Sequence, residues 1–188
     1  MEFAEAQRAL IKTGEGSVPH LYLDTRGFVT VGVGNMIPNV EAAQTLAFVR
    51  RDGGAPAGAE DIAADYDAVK DRPYGQGYTA ASFKPHTALD LPETEIDALL
   101  DRRIAEFEAG LRSDFGNYDN YPDRARLGLL DMAFNLGNHG LITKFPTFTT
   151  AARAGDWTTC AQECRRIGVG DARNAEVRKL FEDGDEPV

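Results

Sequence analysis

Three residues able to do acid–base chemistry lie near the N-terminus: Glu15, Asp24 and Thr30, spaced nine and then six residues apart. Two carboxylates in unlike surroundings, with a hydroxyl beside one of them, are what hydrolysis of a glycosidic bond requires. One carboxyl must hold a proton for the departing oxygen. The other must orient or deprotonate a water. Burial and the negative end of a helix both favour a protonated carboxyl, and Glu15 is expected where both act. Asp24 opens a polar turn, and the Thr30 hydroxyl on the next strand would help hold the water. Taken singly, each has a plainer meaning: a solvated glutamate, an Asx-turn, and a threonine chosen for its fit in a strand.

The elements that must position these residues are readable from spacing. Phe3, Ala6, Leu10 and Ile11 share one face of a helix over residues 3–14, and Gly14 and Gly16 stop it. Leu21-Tyr22-Leu23, the turn Asp24-Thr25-Arg26-Gly27 and the run Phe28 to Gly34 read as a hairpin. In that run Val29, Val31 and Val33 form the expected core face. The face of Thr30, Gly32 and Gly34 is nearly bare and would admit another molecule. Residues 50–90 are rich in Gly, Pro and Ala and read as an irregular, partly mobile inserted lobe.

From Leu91-Pro92-Glu93 a helix carries Ile96, Leu99, Leu100, Ile104, Phe107 and Leu111 as its stripe. A second begins at Tyr121-Pro122-Asp123, ends at Gly137 and is apolar around much of its circumference, as a central buried helix is. Others are expected at about 147–154, 156–167 and 172–182. The fold class is α+β: a small hairpin or sheet lobe beside a larger helical lobe over 91–182, in one domain spanning 1–188.

Composition excludes several functions. The net charge of −10, from 20 basic and 30 acidic residues, argues against nucleic acid and against adhesion to anionic walls. Acidic runs at Glu60 to Asp71 and Glu182 to Glu186 read as solvated surface, with a basic inhibitor protein as the sharper alternative. No apolar run is long enough to span a bilayer. The first ten residues lack the basic and apolar regions of a signal peptide, so the chain is expected to be made in the cytoplasm. Cys160 and Cys164, four apart on a helix, are poorly aimed for a disulfide and read as small core residues. The scattered His20, His86 and His139 give no metal spacing, and His20 reads as a surface residue. Ser17, Ser82 and Ser113 lie in no nucleophile elbow, and Gly32-Val33-Gly34 lacks the rest of a dinucleotide loop. No cofactor is expected, and the chain is expected to be monomeric.

The ordered set Glu15-Gly16, Tyr22-Leu23-Asp24-Thr25-Arg26-Gly27 and Thr30-Val31-Gly32-Val33-Gly34 resembles the catalytic segment (residues 15–35) of the phage-type lysozymes, the endolysin muramidases. Looser likenesses follow. Asp131 to Gly137 resembles that family's buried helix, Phe145-Pro146-Thr147 its next helix start, and Gly155-Asp156-Trp157 a short turn. Arg173-Asn174-Ala175-Glu176 with Leu180-Phe181 resembles its terminal helix. The resemblance implies a lysozyme-like fold, with Glu15 as acid, Asp24 as water-activating carboxylate and Thr30 as supporting hydroxyl. It further implies Met36, Phe134, Asn135 and Phe148 as substrate-binding positions. The implied reaction is hydrolysis of the β-1,4 bond between N-acetylmuramic acid and N-acetylglucosamine in peptidoglycan. Release through a holin pore or delivery into a rival's periplasm would suit such an enzyme, in the latter case with a periplasmic immunity protein as partner. A non-catalytic peptidoglycan-binding domain is the alternative. Departures are Asn35, where many members carry His, the longer 50–90 segment and the acidic charge.

Overall fold

The N-terminal helix α1, Phe3–Glu15, forms as its spacing predicts, running one residue further than expected in this computed structural model, which describes residues 2–184. It buries Ala6 and Ile11 together with one polar residue, Gln7, whose amide donates to Glu108 Oε1 at 2.8 Å. The chain is α+β and divides into two compact units, Glu15–Asp101 and Met1–Gly14 joined with Arg102–Val188.

The first of these units holds the strands. β1 (Val18–Leu23), β2 (Val29–Gly32) and β3 (Asn35–Met36) form an antiparallel sheet in that order. Thr30 pairs with Tyr22 on one side and Met36 on the other. The run expected as one strand from Phe28 to Gly34 instead turns back at Gly32, whose φ of +65° suits a residue without Cβ. All four residues of β2 are buried, so the alternation into a core face and a bare face does not hold. A Cβ on Gly32 would lie 3.4 Å from Ile96, so at Gly32 the chain's own side chain covers the face expected to be open.

The 50–90 segment is structured rather than irregular. After α2 (Val40–Gln44) come β4 (Val49–Arg50), α3 (Ala59–Lys70), a 3-10 turn over Ala80–His86, and β5 (Leu89–Asp90), which pairs with β4. Ile62, Tyr66, Val69 and Phe83 are buried. Two polar clamps do what weak periodicity could not announce. The buried Asp65 carboxylate accepts from Ala88 N and Leu89 N at 2.9–3.0 Å. The Arg51 guanidinium binds Asp90 Oδ1 at 2.8 Å and donates to the carbonyls of Thr87 and Leu89. The segment shares its unit with residues 15–35 and is no separate lobe.

α4 (Glu93–Asp114) begins in this unit and ends in the other. The second unit then contains α5 (Asp123–Leu136), α6 (Asn138–Lys144), α7 (Pro146–Ala154), α8 (Trp157–Glu163) and α9 (Asp171–Glu182). α5 is the central helix that its composition predicts: every residue from Leu127 to Phe134 is buried. Each large aliphatic side chain so buried contributes roughly 1.5–3 kcal/mol. Gly128 makes room for Phe181, whose ring a Cβ there would meet at 2.5 Å. Phe181 stacks edge-on with Phe148 at 5.3 Å and lies parallel to Trp157 at 6.5 Å. Cys160 and Cys164 are buried and unbonded to each other, and burial pushes the Cys160 thiol up to about 12. Among the described residues no helix is long and apolar enough to cross a membrane. Asp185 and Glu186 of the C-terminal acidic run lie outside the described residues.

Candidate functional site

Asp24 sits in the loop between β1 and β2, where Leu23 pairs with Val29. Its Oδ1 accepts from Arg26 N at 2.9 Å and Phe28 N at 2.8 Å. Its main chain closes the same turn: Gly27 N donates to the Asp24 carbonyl, and Asp24 N donates to the Phe28 carbonyl, each at 3.0 Å. Gly27 has a φ of +85°, open to glycine at no steric cost. This is the Asx-turn of the plainer reading. It uses Oδ1 alone, and Oδ2 takes no hydrogen bond among the described residues. Asp24 is half-buried, with one carboxylate oxygen held by backbone.

Thr30 is 2% exposed, and its hydroxyl donates to the Phe28 carbonyl at 2.9 Å. Its single proton is thus committed, leaving oxygen lone pairs that can only accept. Asp24 and Thr30 are tied to one residue, Phe28, whose contribution is made by backbone atoms and so has no side-chain signal.

Glu15 is the last residue of α1 and is exposed. Burial is therefore not what prepares it, contrary to expectation. Its place at the negative end of a helix does hold. The carbonyl of the preceding residue, Gly14, accepts from Arg173 Nη1 at 3.1 Å, which satisfies one of the orphan groups of a helix terminus. Arg173 in turn donates to Asp131 Oδ1 through Nε and Nη2 at 3.1 and 2.8 Å. The other oxygen of Asp131 forms an ion pair with Arg166 at 2.7 Å, close in distance though poorly angled for a hydrogen bond. Asp131 and Arg166 are both almost wholly buried. The segments that resemble the phage-type lysozymes include Asp131 and Arg173 but give no sign of their pairing, because the two lie 42 residues apart.

His20 is buried rather than on the surface: it is 4% exposed, with Nε2 2.9 Å from the Ala80 carbonyl. Burial lowers its pKa from the ordinary 6.5, opposed by the bond to Ala80.

Of the substrate-binding positions implied by resemblance, Met36 is 52% exposed on β3 and Asn135 is exposed near the end of α5. Asn135 lines a pocket of about 460 Å³ with Thr13, Gly14, Gly168, Arg173 and Glu176, and Gly14 places this pocket at the end of α1. Phe134 is 8% exposed, packed at 4.9 Å on Phe107 and covered by the Arg103 guanidinium at 4.6 Å. Phe148 is fully buried against Phe181, which makes it a core residue that no ligand can touch. Among the described residues no group of three or more His, Cys, Asp or Glu could hold a metal ion.

No protein-family model matches this chain, and no curated protein matches it.

Proposed function

We propose that this chain is a lysozyme-like muramidase, hydrolysing the β-1,4 bond between N-acetylmuramic acid and N-acetylglucosamine in peptidoglycan, as an endolysin or an antibacterial effector. One observation carries the reading. Asp24 is pinned through Oδ1 with Oδ2 left over, in the turn whose spacing from Glu15 and Thr30 resembles that of the phage-type lysozymes.

In the proposed reaction Glu15 gives its proton to the glycosidic oxygen as the bond from the anomeric carbon to that oxygen breaks. A water oxygen forms the new bond to the anomeric carbon and passes a proton to the Asp24 carboxylate. The Thr30 oxygen, able only to accept, takes a hydrogen bond from that water and so orients its lone pair. Asp24 then releases that proton to solvent, and Glu15 takes one from solvent, restoring both groups.

The test is digestion of purified peptidoglycan by the protein and by Glu15→Gln, with products identified by mass spectrometry. The expected result is reducing-end muramic acid from the wild type alone. Anhydro-muramic products would instead mean a lytic transglycosylase and leave Asp24 without its role. No products from either protein, with peptidoglycan still bound, would leave a binding domain.

A further inference from the structure

The loop between α3 and the 3-10 turn brings Tyr74 onto the Asp24 turn. A Cβ at Gly27 would lie 2.7 Å from Tyr74 Cε1 and Cζ, so the ring rests where only glycine leaves room. Gly27 N is itself bonded to the Asp24 carbonyl. Tyr74 nevertheless stays 54% exposed. Next to Gly27 in sequence, Phe28 is 40% exposed, with the Arg26 guanidinium 4.8 Å over its ring. Five large apolar side chains are well exposed among the described residues, and three of them, Phe28, Met36 and Tyr74, belong to the turn, to its contact or to the strand paired with Thr30.

An exposed aromatic ring packed against the Asp24 turn fits a ligand with one apolar face and hydroxyls at its rim. A pyranose has that chemistry: axial hydrogens on its faces, hydroxyls at its edge. We infer that Tyr74 is a sugar-stacking residue for the glycan strand, a subsite that the inserted 50–90 segment adds at the Asp24 turn. This rests on the proposed reading of the turn as part of a glycan site. It also gives the segment a task, since Tyr74 is the residue by which it reaches Gly27.

The test separates the two claims by measuring binding apart from hydrolysis. Calorimetry is run with soluble chitooligosaccharides on the Glu15→Gln protein and on Glu15→Gln with Tyr74→Ala, Tyr74→Phe or Tyr74→Trp. Stacking predicts a loss of affinity on the order of tenfold for the alanine variant, as for a truncated aromatic anchor, and near-full retention for Phe and Trp. On the active protein, Tyr74→Ala raises KM for peptidoglycan by a similar factor and leaves kcat within about twofold. Tyr74 is more than half exposed, and circular dichroism checks that the variant stays folded. Equal affinity in the alanine variant, or no binding by any of these proteins, overturns the inference. Binding that falls with Tyr74→Ala while the wild type hydrolyses nothing keeps the stacking residue and removes the muramidase.

Discussion

Asp24 and Thr30 donate to the same acceptor: the Asp24 N–H and the Thr30 hydroxyl reach the Phe28 carbonyl at 3.0 and 2.9 Å. Phe28 N returns a bond to Asp24 Oδ1 at 2.8 Å. One residue between them thus fixes both the carboxylate and the hydroxyl, and their separation is set by a turn rather than by side-chain rotamers.

Substitutions at Asp24 should separate folding from chemistry. An asparagine keeps an oxygen able to accept from Arg26 N and Phe28 N, so Asp24→Asn should unfold within about 1 kcal/mol of wild type in urea. Its hydrolysis of peptidoglycan should fall on the order of 10²–10⁴-fold. Asp24→Ala strips the turn of both bonds and should lose about 1–2 kcal/mol as well. Full activity in Asp24→Asn would remove the water-activating role.

At Thr30 the informative pair is serine and valine. Thr30→Ser preserves the bond to Phe28 and the acceptor lone pairs and should keep most activity. Thr30→Val keeps the shape and loses both. It should cost about 1 kcal/mol in denaturant unfolding and at least roughly tenfold in rate. A valine variant as active as wild type would reduce Thr30 to a packing residue.

The Asp131 cluster should dominate stability rather than rate. Asp131→Asn leaves Arg166, which is 1% exposed, with an uncompensated charge. Breaking a buried pair in this way costs about 3–5 kcal/mol. Thermal unfolding should show a large fall in Tm, and combining Asp131→Asn with Arg166→Met should recover part of it. An unchanged Tm would mean that the cluster is hydrated.

Burial of His20 should give the fold a pH dependence. Burial lowers its folded pKa below the ordinary 6.5, while the unfolded chain keeps the ordinary value. Below that value the unfolded state binds more protons, so stability falls as pH falls and reaches its full value above it. The groups acting on it are the cations of Arg51 and Lys84, which also lower it, and the Ala80 carbonyl and Asp90, which raise it. Urea midpoints of wild type and His20→Gln between about pH 5 and 8 should show a shallower slope in the variant. Parallel slopes would contradict a lowered pKa for His20 in the folded chain.

Local pattern revealed what local pattern determines. The faces of α1 and α4, the burial of α5 and the Asp24 turn follow from spacing that neighbouring residues fix. What was hidden depends on partners far along the chain. Ile96 covers Gly32, Asp65 secures the backbone at the start of β5, and Phe181 buries Phe148. The face of Thr30, Gly32 and Gly34 reads as bare because its strand alternates, yet at Gly32 the covering residue, Ile96, comes from another element. Glu15 looked buried because it ends an amphipathic helix, yet it extends beyond that helix's buried face. The resemblance to phage-type lysozymes selected Asn135 and Phe148 alike, and only packing tells the exposed amide from the core ring.

The bond from Arg173 to the Gly14 carbonyl joins residues 159 positions apart. A ribosome adding about 5–20 residues per second needs roughly 8–30 s to cover that interval. During this time α1 has left the tunnel without the arginine that steadies its final turn. The mount of the candidate acid is therefore among the last parts of the chain to be completed, and a nascent or C-terminally truncated product would carry Glu15 without its anchor.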